Sequence, residues 1–365
     1  MPPSSCIISF MVNEPVSSQG ESRLKRRGPP VARFALMGGV TLLVLLLCVS
    51  LGSVPVPLHK TASTLLDALA GRSAGGDRDA VIILTVRLPR VLSVLLTGAS
   101  LSLCGAAMQG LLRNPLADGA TLGVSSGASL GAMLAIQLGI SLPGLPLAGS
   151  VITAGLFAFL SLALVLFLAF ALDRSLSTST IILIGIVFTM FAGSLMSLLI
   201  AFSGPRLRSL TFWTLGSLTG TGYRDVLLLF SALVLCGAAL LSRERELDAF
   251  SLGEENARGI GVSVRRVKLT IMVAVSLLIG VSVSIGGSIG FVGLVIPHIT
   301  RLLTGPAHRK LLPACVFLGG IFLMLCDLLA RTMLSPIEMP LGVVTSLIGA
   351  VFFVVILARS RRRRT

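Results

Sequence analysis

Three arginines in this sequence have the side-chain type and the spacing needed to bind carboxylate groups. Arg87 and Arg90 lie three residues apart in the motif RLPR, so a helix would place both on one face. Arg331 closes an apolar run in the motif DLLAR. Because guanidinium groups bind carboxylates through paired hydrogen bonds, the three side chains could form a basic patch for an acidic partner. They could equally be interfacial arginines that extend their charged heads from the end of a membrane helix.

Other residue patterns give no indication of covalent chemistry or of a bound metal. The six cysteines are dispersed and form no CxxC motif or Cys/His cluster. His59, His298 and His308 are far apart in the sequence and form no recognisable ligand set. None of the four lysines follows a G-x-x-x-x-G pattern, so the sequence has no phosphate-binding loop. We therefore expect no catalytic residue, no metal ligand and no cofactor in this chain.

Glycine and proline positions predict helices that pack closely and change direction. Gly105 and Gly287 lie in segments rich in Gly, Ser and Ala, which let helix backbones approach each other in a membrane. Pro115 and Pro297 lie beside or within apolar segments. The backbone groups that a proline frees at membrane depth must be buried in protein or face a water-filled cavity, which favours a moving or gating element.

The elements that must position all these residues are membrane helices. Of 365 residues, 54% are hydrophobic and 12% are charged, whereas a soluble domain has about 25% charged residues. Most basic residues lie between apolar runs of about 20 residues, the length that spans a bilayer. The formal charge of +15 is therefore explained by membrane topology and does not indicate nucleic-acid binding.

Ten apolar segments are predicted to cross the membrane, which makes the fold all-α and polytopic. The ten predicted ranges are 32–51, 87–112, 119–138, 148–171, 181–202, 225–241, 268–286, 289–303, 308–331 and 340–358. A short helical segment is expected at 61–71 and a loop at 203–223, which contains Trp213 and Tyr223. The transmembrane domain is expected to cover 31–359, between a disordered basic tail at 1–30 and a second basic tail at 360–365.

The distribution of Lys and Arg predicts the orientation of these crossings. An even number of crossings places both termini on the same side. The segments on that side carry 21 Lys and Arg residues, against 9 on the other side. Since basic residues are enriched on cytoplasmic loops, we expect both termini in the cytoplasm.

An internal repeat supports the number of predicted helices. A shift of 182 residues matches Gly98 with Gly280, Ser100 with Ser282, Ser102 with Ser284, Gly105 with Gly287 and Pro115 with Pro297. Predicted helices 2–5 and 7–10 would then form two copies of opposite topology, an arrangement common in transporters. Chance recurrence of small residues is the alternative, because only five positions match.

The longest charged stretch, 243–268, contains LGEENARGIGV. Its pattern predicts two short helical pieces separated by Gly259 and Gly261. Such a stretch could be only a solvated loop. Because the chain has no ATPase of its own, the stretch could alternatively be the surface on which a separate ATPase subunit docks.

Nine motifs together closely resemble a known family over residues 31–359. They are RLPR (87–90), GAAMQGLLRNPLAD (105–118), LGVSSGA (122–128), FWTLGSL (212–218), LGEENARGIGV (252–262), GFVGLVIPHITRLL (290–303), HRKLLP (308–313), DLLAR (327–331) and MPLGVVTSLIGA (339–350). The chain resembles the ten-helix permeases of ABC importers for iron-siderophore complexes, haem and vitamin B12. The resemblance implies a multi-pass protein of the bacterial cytoplasmic membrane and no enzymatic activity of its own.

The resemblance also implies roles for individual residues. The docking residues for acidic side chains of a periplasmic or lipid-tethered substrate-binding protein would be Arg87, Arg90 and Arg331. The cytoplasmic gate would include Asn114, Leu116, Thr178 and Ser179. The segment that couples to the ATPase would include Leu252, Gly253, Glu254, Ala257 and Gly261.

The partners that the resemblance implies are all proteins or lipid. They are two cytoplasmic ATPase subunits, one substrate-binding protein, a second permease subunit that is identical or paralogous, and the membrane lipid. The transport path would run between the two permease subunits, lined largely by predicted helices 5 and 10. No nucleic acid is expected.

The expected cargo is a ferric siderophore, the commonest cargo of the family, with haem and cobalamin as alternatives. A secondary transporter driven by an ion gradient is an alternative of another class. It would need acidic residues at mid-membrane depth, for which Asp327 is the only candidate. A membrane scaffold or receptor without transport is a further alternative, and it would not associate with an ATPase.

Overall fold

The structure is a computed structural model that describes residues 30–52, 56–72, 77–140, 148–174 and 177–362. Most of these residues are helical, and none of them forms a β-strand. The all-α prediction is therefore confirmed. The predicted tail at 1–30 lies outside the described residues except for Pro30, where the first helix begins.

The described residues form fifteen α-helices. In chain order they are α1 (Pro30–Ser50), α2 (Leu58–Leu69), α3 (Arg78–Val81), α4 (Leu88–Leu111), α5 (Val124–Leu138), α6 (Ala148–Leu172), α7 (Thr178–Ala201), α8 (Leu207–Thr214), α9 (Tyr223–Leu241), α10 (Glu244–Phe250), α11 (Glu254–Gly259), α12 (Val264–Gly286), α13 (Val292–Thr304), α14 (His308–Thr332) and α15 (Leu341–Arg362).

Length and composition identify the membrane helices among the described residues. Seven helices are long and apolar enough to cross a bilayer: α1, α4, α6, α7, α9, α12 and α14. Three shorter apolar helices, α5, α13 and the apolar part of α15, complete the set. Each predicted crossing corresponds to one of these helices, so the polytopic prediction is confirmed. α4 itself matches the predicted range 87–112, but α3 and a π-helical turn at Ile82–Arg87 run directly into it, so the continuous helical span begins at Arg78.

The contacts of α14 define two ends of the molecule. At its first residue, His308 contacts Asp248 of α10, and we call this side the inner end. Near its last residue, Arg331 contacts the C-terminal end of α1, and we call this side the outer end. α1 therefore begins at the inner end.

The directions of the helices give the predicted inverted repeat. α4 runs from the outer to the inner end, while α12 runs from the inner to the outer end. The three helices that follow α4 and the three that follow α12 alternate in direction. The sets α4–α7 and α12–α15 therefore have the same order and opposite directions. α15 therefore ends on the same side as the start of α1.

The residues matched by the shift of 182 do not occupy equivalent positions in their helices. Gly105 lies within α4, where a Cβ atom would meet the Gly293 carbonyl oxygen of α13. Gly287 follows the last residue of α12 with φ +68° and lies against the Trp213 carbonyl. The shift of 182 residues is thus wrong as a residue alignment, and the repeat is one of helix order and direction.

Glycines allow the central helices to touch through their backbones. A Cβ atom on Gly98 of α4 would lie 2.3 Å from the Gly319 carbonyl oxygen of α14. Since lipid provides no hydrophobic drive for helix association, such close packing is a main source of attraction between membrane helices. Gly98 and Gly319 therefore hold α4 and α14 together.

The two prolines have different structural roles. Pro115 lies in the turn after α4, where the Leu116 backbone N–H donates to the Asn114 side chain. Pro297 lies inside α13, which continues through it. The predicted crossing at 289–303 likewise runs through Pro297, and Gln109 of α4 explains how the helix accommodates the proline.

Gln109 replaces the backbone donor that Pro297 lacks. Pro297 cannot donate to the carbonyl four residues earlier, which is that of Gly293. The buried Gln109 side chain donates to that oxygen at 3.3 Å and to the Leu294 oxygen at 3.2 Å. Its own oxygen accepts from Arg301 Nη1 at 2.5 Å. A neighbouring helix thus satisfies the freed carbonyl and lets α13 remain helical.

Two connections differ from the sequence predictions. The expected loop at 203–223 contains helix α8, whose length of eight residues is too short to give a clear periodic signal. The stretch 243–268 does form two short helices, but the break between α10 and α11 falls at 251–253 and not at Gly259. Gly253 has φ +109°, a conformation that glycine adopts without strain.

Candidate functional site

Arg87 and Arg331 bind the exposed carbonyl groups at the C-terminal end of α1. Arg87 Nη1 donates to the Val49 and Ser50 oxygens at 3.1 and 2.9 Å. Arg331 Nη2 donates to the Cys48 oxygen at 3.0 Å. The last carbonyls of a helix have no partner within the helix and carry negative partial charge. Two cations from α14 and from the turn before α4 therefore cap α1, which has no basic residue in its own last turn.

Arg90 binds two carboxylates at the same outer end. Its Nε and Nη2 atoms donate to Asp327 Oδ1 at 3.1 and 3.0 Å. Its Nη1 atom donates to the Glu338 carboxylate at 2.9 Å. The second oxygen of Asp327 pairs with Arg331 Nε at 2.9 Å. The structure thus brings the three predicted arginines together in one network, which we call the outer arginine cluster (Arg87, Arg90, Arg331, Asp327 and Glu338).

The three arginines are buried, contrary to the expectation of an open basic patch. Arg87, Arg90 and Arg331 are 6%, 9% and 6% exposed. A buried guanidinium group is stable only with acceptors around it, and here backbone carbonyls and Asp327 supply them. Neither the patch nor the interfacial interpretation anticipated this arrangement. The signal in the sequence was the end of α1, which lacks basic residues and must find donors elsewhere.

Contacts near the cluster fix the helical segment that leads into α4. The Tyr223 hydroxyl donates to the Leu84 carbonyl at 2.6 Å, within the π-helical turn before Arg87. Lys60 of α2 forms ion pairs with Asp77 and Asp79 at the start of α3. Hydrogen bonds from Lys60 and from the Asp79 backbone lower the pKa of the Asp77 carboxyl. The Asp79 and Asp77 carboxylates in turn raise the pKa of Lys60.

A cavity of about 720 Å³, which we call the outer cavity, lies beside the outer arginine cluster. Its lining includes Trp213, Thr219, Ser284, Glu338 and Met339. Glu338 is the member of the outer arginine cluster that also lines this cavity.

At the inner end, the structure brings the predicted gate and coupling residues together. Thr178 Oγ1, at the start of α7, donates to Glu254 Oε1 of α11 at 3.2 Å. The same oxygen pairs with Lys268 Nζ of α12 at 2.7 Å. Glu254 therefore connects two transmembrane helices to the stretch that was predicted to meet the ATPase.

A cavity of about 800 Å³ lies at this junction. Its lining includes Asn114, Thr178, Ser179, Leu252, Gly253 and Glu254. Leu116 does not line it; its side chain is half exposed beside the turn after α4. We refer to the residues lining this cavity as the inner junction.

The predicted coupling residues divide into buried and exposed members. Ala257 is fully buried in the core, where it fixes α11 against the membrane helices. Leu252 is 66% exposed, and Ile260, which was not predicted, is 68% exposed. Gly261 has φ +89° and open space around it. Leu252 and Ile260 flank the short helix α11, and two exposed apolar side chains in this arrangement have the character of a protein contact surface.

Sequence reasoning missed a second contact at the inner end. The Asp248 carboxylate of α10 accepts from the His308 backbone N–H at 2.9 Å and lies 2.6 Å from His308 Nδ1. This contact caps the N-terminus of α14, where a negative charge is favourable. The motif HRKLLP gave the position of His308, but Asp248 is 60 residues earlier and carries no local signal of the pairing.

A second acidic residue also lies within the helical bundle. Asp118, after the turn at Pro115, lines a cavity of about 480 Å³ with Ser288, Gly290 and Ser346. Asp118 is therefore a second acidic residue that lines a cavity among the helices. Among the residues that the structure describes, no group of three or more His, Cys, Asp or Glu side chains could hold a metal ion.

Comparison with known proteins gives a family match over most of the chain. A model of the FecCD transport family matches residues 40–359. An uncharacterised ABC transporter permease protein of Bacillus subtilis, YvrB, is 42% identical over 343 residues, which cover 93% of this chain and 97% of the relative.

Relatives with named cargoes are also similar. The hemin transport system permease protein HmuU of Yersinia pestis is 36% identical over 326 residues, 89% of this chain and 96% of the relative. The vitamin B12 import system permease protein BtuC of Klebsiella pneumoniae is 41% identical over 288 residues, 78% of this chain and 84% of the relative.

A solved structure has the same fold. It is an ABC transporter assigned to the metal-chelate type in an inward-facing conformation, with a TM-score of 0.78 and 31% identity. The match covers 90% of this chain and 99% of that chain. The resemblance stated from the motifs is thereby confirmed: the chain belongs to the FecCD transport family and is a multi-pass permease subunit of an ABC importer, a transport component and not an enzyme.

Proposed function

We propose that this permease moves a ferric siderophore across the bacterial cytoplasmic membrane by alternating access. The inner end faces the cytoplasm, and so do both termini and the tails at 1–30 and 360–365. Two ATPase subunits bind at the inner end, and a periplasmic or lipid-tethered substrate-binding protein delivers the cargo at the outer end. A second permease subunit, identical or paralogous, completes the path.

The contact between Thr178 and Glu254 is the observation that carries this mechanism. It connects the start of α7 with α11, which exposes apolar residues beside it. A partner that displaces α11 therefore acts on α7 through Glu254 and on α12 through Lys268. In the proposed cycle, ATP binding and hydrolysis move the coupling residues Leu252, Gly253, Glu254, Ala257 and Gly261, and these open or close the gate.

Exposed apolar faces support the proposed membrane and subunit contacts. α7 exposes Leu183, Val187, Met190 and Phe191, and α15 exposes Leu347, Val351 and Val354. Such contiguous apolar surface is covered in a membrane protein by lipid or by another subunit. α7 and α15 correspond to predicted helices 5 and 10, which we assign to the path between the two permease subunits.

The test of the cargo is uptake by a reconstituted importer. The permease is incorporated into liposomes with its ATPase and a substrate-binding protein, and ATP-dependent accumulation of a radiolabelled ferric siderophore, haemin and cobalamin is compared. We expect accumulation of the ferric siderophore. Uptake of haemin or of cobalamin alone would assign the cargo to the class named for HmuU or BtuC instead.

The secondary-transporter alternative depends on acidic residues that can carry ions. Asp327, its original candidate, is 1% exposed and paired with Arg90 and Arg331, so its charge is already compensated. Transport that continued without any ATPase subunit, and stopped when the proton gradient was removed, would favour this alternative. Stoichiometric co-purification of an ATPase would exclude a scaffold or receptor without transport.

A further inference from the structure

Glu338 lies in the outer connection between α14 and α15, where it joins two parts of the molecule. Its carboxylate accepts from Arg90 Nη1 at 2.9 and 3.2 Å. It also accepts from Thr219 Oγ1, in the connection between α8 and α9, at 3.1 Å. The Glu338 carboxylate therefore joins Arg90 to Thr219, which lines the outer cavity.

The two carboxylates bound to Arg90 differ in their access to solvent. The Asp327 side chain is 1% exposed, and it binds the Nε edge of Arg90 while also pairing with Arg331. The Glu338 side chain is 42% exposed. Asp327 is thus a fixed interior partner, whereas Glu338 can leave Arg90 without uncovering a second buried charge.

The free-energy cost of losing the contact is also larger for Asp327 than for Glu338. Removing one partner of a buried charge pair is strongly destabilising, because the remaining charge stays desolvated. Because Glu338 is partly exposed, water and salt screen its contact with the buried Arg90, and this contact contributes less. The Glu338 contact can therefore be exchanged for a contact with a different carboxylate at small cost, but Arg90 Nη1 still needs an acceptor.

We propose that Glu338 is an internal substitute for an acidic side chain of the substrate-binding protein. In the free permease, Glu338 occupies the outward edge of Arg90. When the binding protein docks, one of its carboxylates takes this edge, and Glu338 is displaced. This inference rests on the docking role proposed for the outer end, and it adds that docking is an exchange of carboxylates.

The surroundings of Glu338 fit a protein as the source of the incoming carboxylate. Met333, Leu334 and Ile337 precede it in the same connection and are 64%, 57% and 71% exposed. Apolar side chains around a charged contact exclude water when a partner covers them. The occupant we assign to this surface is therefore the acidic face of the substrate-binding protein.

Displacement of Glu338 would also change the outer cavity. Thr219 loses its carboxylate acceptor, and Met339 and Pro340, which follow Glu338, line the same cavity. The Met339 backbone N–H donates to the Ala330 oxygen at 3.0 Å, so movement of this connection reaches the end of α14. Docking is thereby communicated to the place where the cargo enters.

The experiment compares two neutralising variants of the complete permease and ATPase complex in nanodiscs. Glu338→Gln removes the competing carboxylate, and Asp67→Asn removes one exposed negative charge from α2. The Kd for a substrate-binding protein that supports uptake by this permease is measured at low and high salt. We expect Glu338→Gln to lower the Kd about two- to fivefold, because the contact that it removes is partly screened by solvent. Asp67→Asn should leave it unchanged.

A third variant separates the exchange from docking itself. In Arg90→Gln, whose folding is checked by its Tm, the Kd should rise, and adding Glu338→Gln should no longer lower it. If Arg90→Gln raises the Kd but Glu338→Gln alone has no effect or weakens binding, the exchange is wrong and docking at Arg90 stands. If Arg90→Gln leaves the Kd unchanged, the docking role of Arg90 is wrong as well. An equal gain from Asp67→Asn would reduce the effect to general electrostatics and overturn the exchange.

Discussion

Arg87, Arg90 and Arg331 carry the same guanidinium group, but the structure gives them two different tasks. Arg87 and Arg331 donate to carbonyl oxygens at the end of α1, whereas Arg90 binds Asp327 and Glu338. The difference comes from what each side chain faces when α4 and α14 pack. A role in docking is therefore most direct for Arg90, whose Glu338 partner is accessible from outside.

The capping arginines should contribute to stability. We expect Arg87→Ala and Arg331→Ala each to lower stability by about 2 kcal/mol, because hydrogen bonds from a charged donor to the last carbonyls of α1 are lost. The measurement is the Tm of the purified permease in detergent. Arg224→Ala, at an exposed position beside Tyr223, is the control and should leave the Tm unchanged. The same Tm for Arg87→Ala and Arg224→Ala would contradict the capping role.

The arginine motifs could be found from the sequence, but their burial could not. The carbonyl oxygens that Arg87 and Arg331 bind belong to α1, which is 37 and 283 positions away at Ser50 and Cys48. Backbone carbonyls have no residue-specific signal, so a motif search cannot find them. Spacing predicted that the arginines share a face, and tertiary packing decided what lies opposite that face.

At the scale of helices, apolar length predicted the elements well because the bilayer sets that length. All ten crossings begin and end within a few residues of their predicted bounds, and α3 and the π-helical turn extend the span of α4 back to Arg78. The short helix α8 was missed, since eight residues give too few turns for a periodic pattern. The predicted crossing at 289–303 ran through Pro297, but the contact that compensates for the proline was missed, because it comes from Gln109 of α4.

The Gln109 contact explains why α13 tolerates Pro297 and can be isolated with a double-mutant cycle. Gln109→Leu should destabilise the permease by about 1–3 kcal/mol, since the Gly293 carbonyl is left unpaired. Pro297→Ala restores the backbone N–H, so the same substitution should cost less in the Pro297→Ala background. The contact with Arg301 is lost in both backgrounds and therefore cancels. Equal losses of Tm in both backgrounds would show that Gln109 does not compensate for the proline.

The packing of α4 on α13 gives a separate prediction. A Cβ atom on Gly105 would lie within 2 Å of the Gly293 oxygen, so Gly105→Ala must push the two helices apart. We expect a loss of about 1–3 kcal/mol or failure to accumulate folded permease. Gly39→Ala in α1, where the added Cβ meets nothing within 4 Å, is the matched control. The two variants are compared by yield and Tm after size-exclusion chromatography, and equal values would exclude tight packing at Gly105.

At the scale of the whole molecule, two helices connect the inner end with the outer end. α14 extends from the Asp248 contact at His308 to Arg331 in the outer arginine cluster. α12 extends from the Glu254 contact at Lys268 to Gly286, whose oxygen accepts from the Ser217 backbone N–H at 2.9 Å. Each helix therefore contacts the stretch 243–268, through Asp248 or Glu254, at one end and the surroundings of the outer cavity at the other.

The turn at Gly261 offers a test of the coupling role that we propose for the inner end. Gly261→Val should raise the number of ATP molecules hydrolysed per cargo molecule several-fold, because a β-branched residue at φ +89° is strained and must reshape the turn between α11 and α12. Gly259→Val, two residues earlier in open space without a positive φ, is the control. Hydrolysis and uptake are measured in the same proteoliposomes. An unchanged ratio for Gly261→Val would remove this turn from the coupling pathway.

The length of α14 has a thermodynamic consequence. Its 25 residues extend about 37 Å as a continuous helix with contacts at both ends. If nucleotide binding at the inner end changes the affinity of the outer end for the substrate-binding protein, then free-energy linkage requires the reverse effect by the same factor. The ratio of Kd values for the binding protein with and without nucleotide must therefore equal the ratio of Kd values for the nucleotide with and without the binding protein.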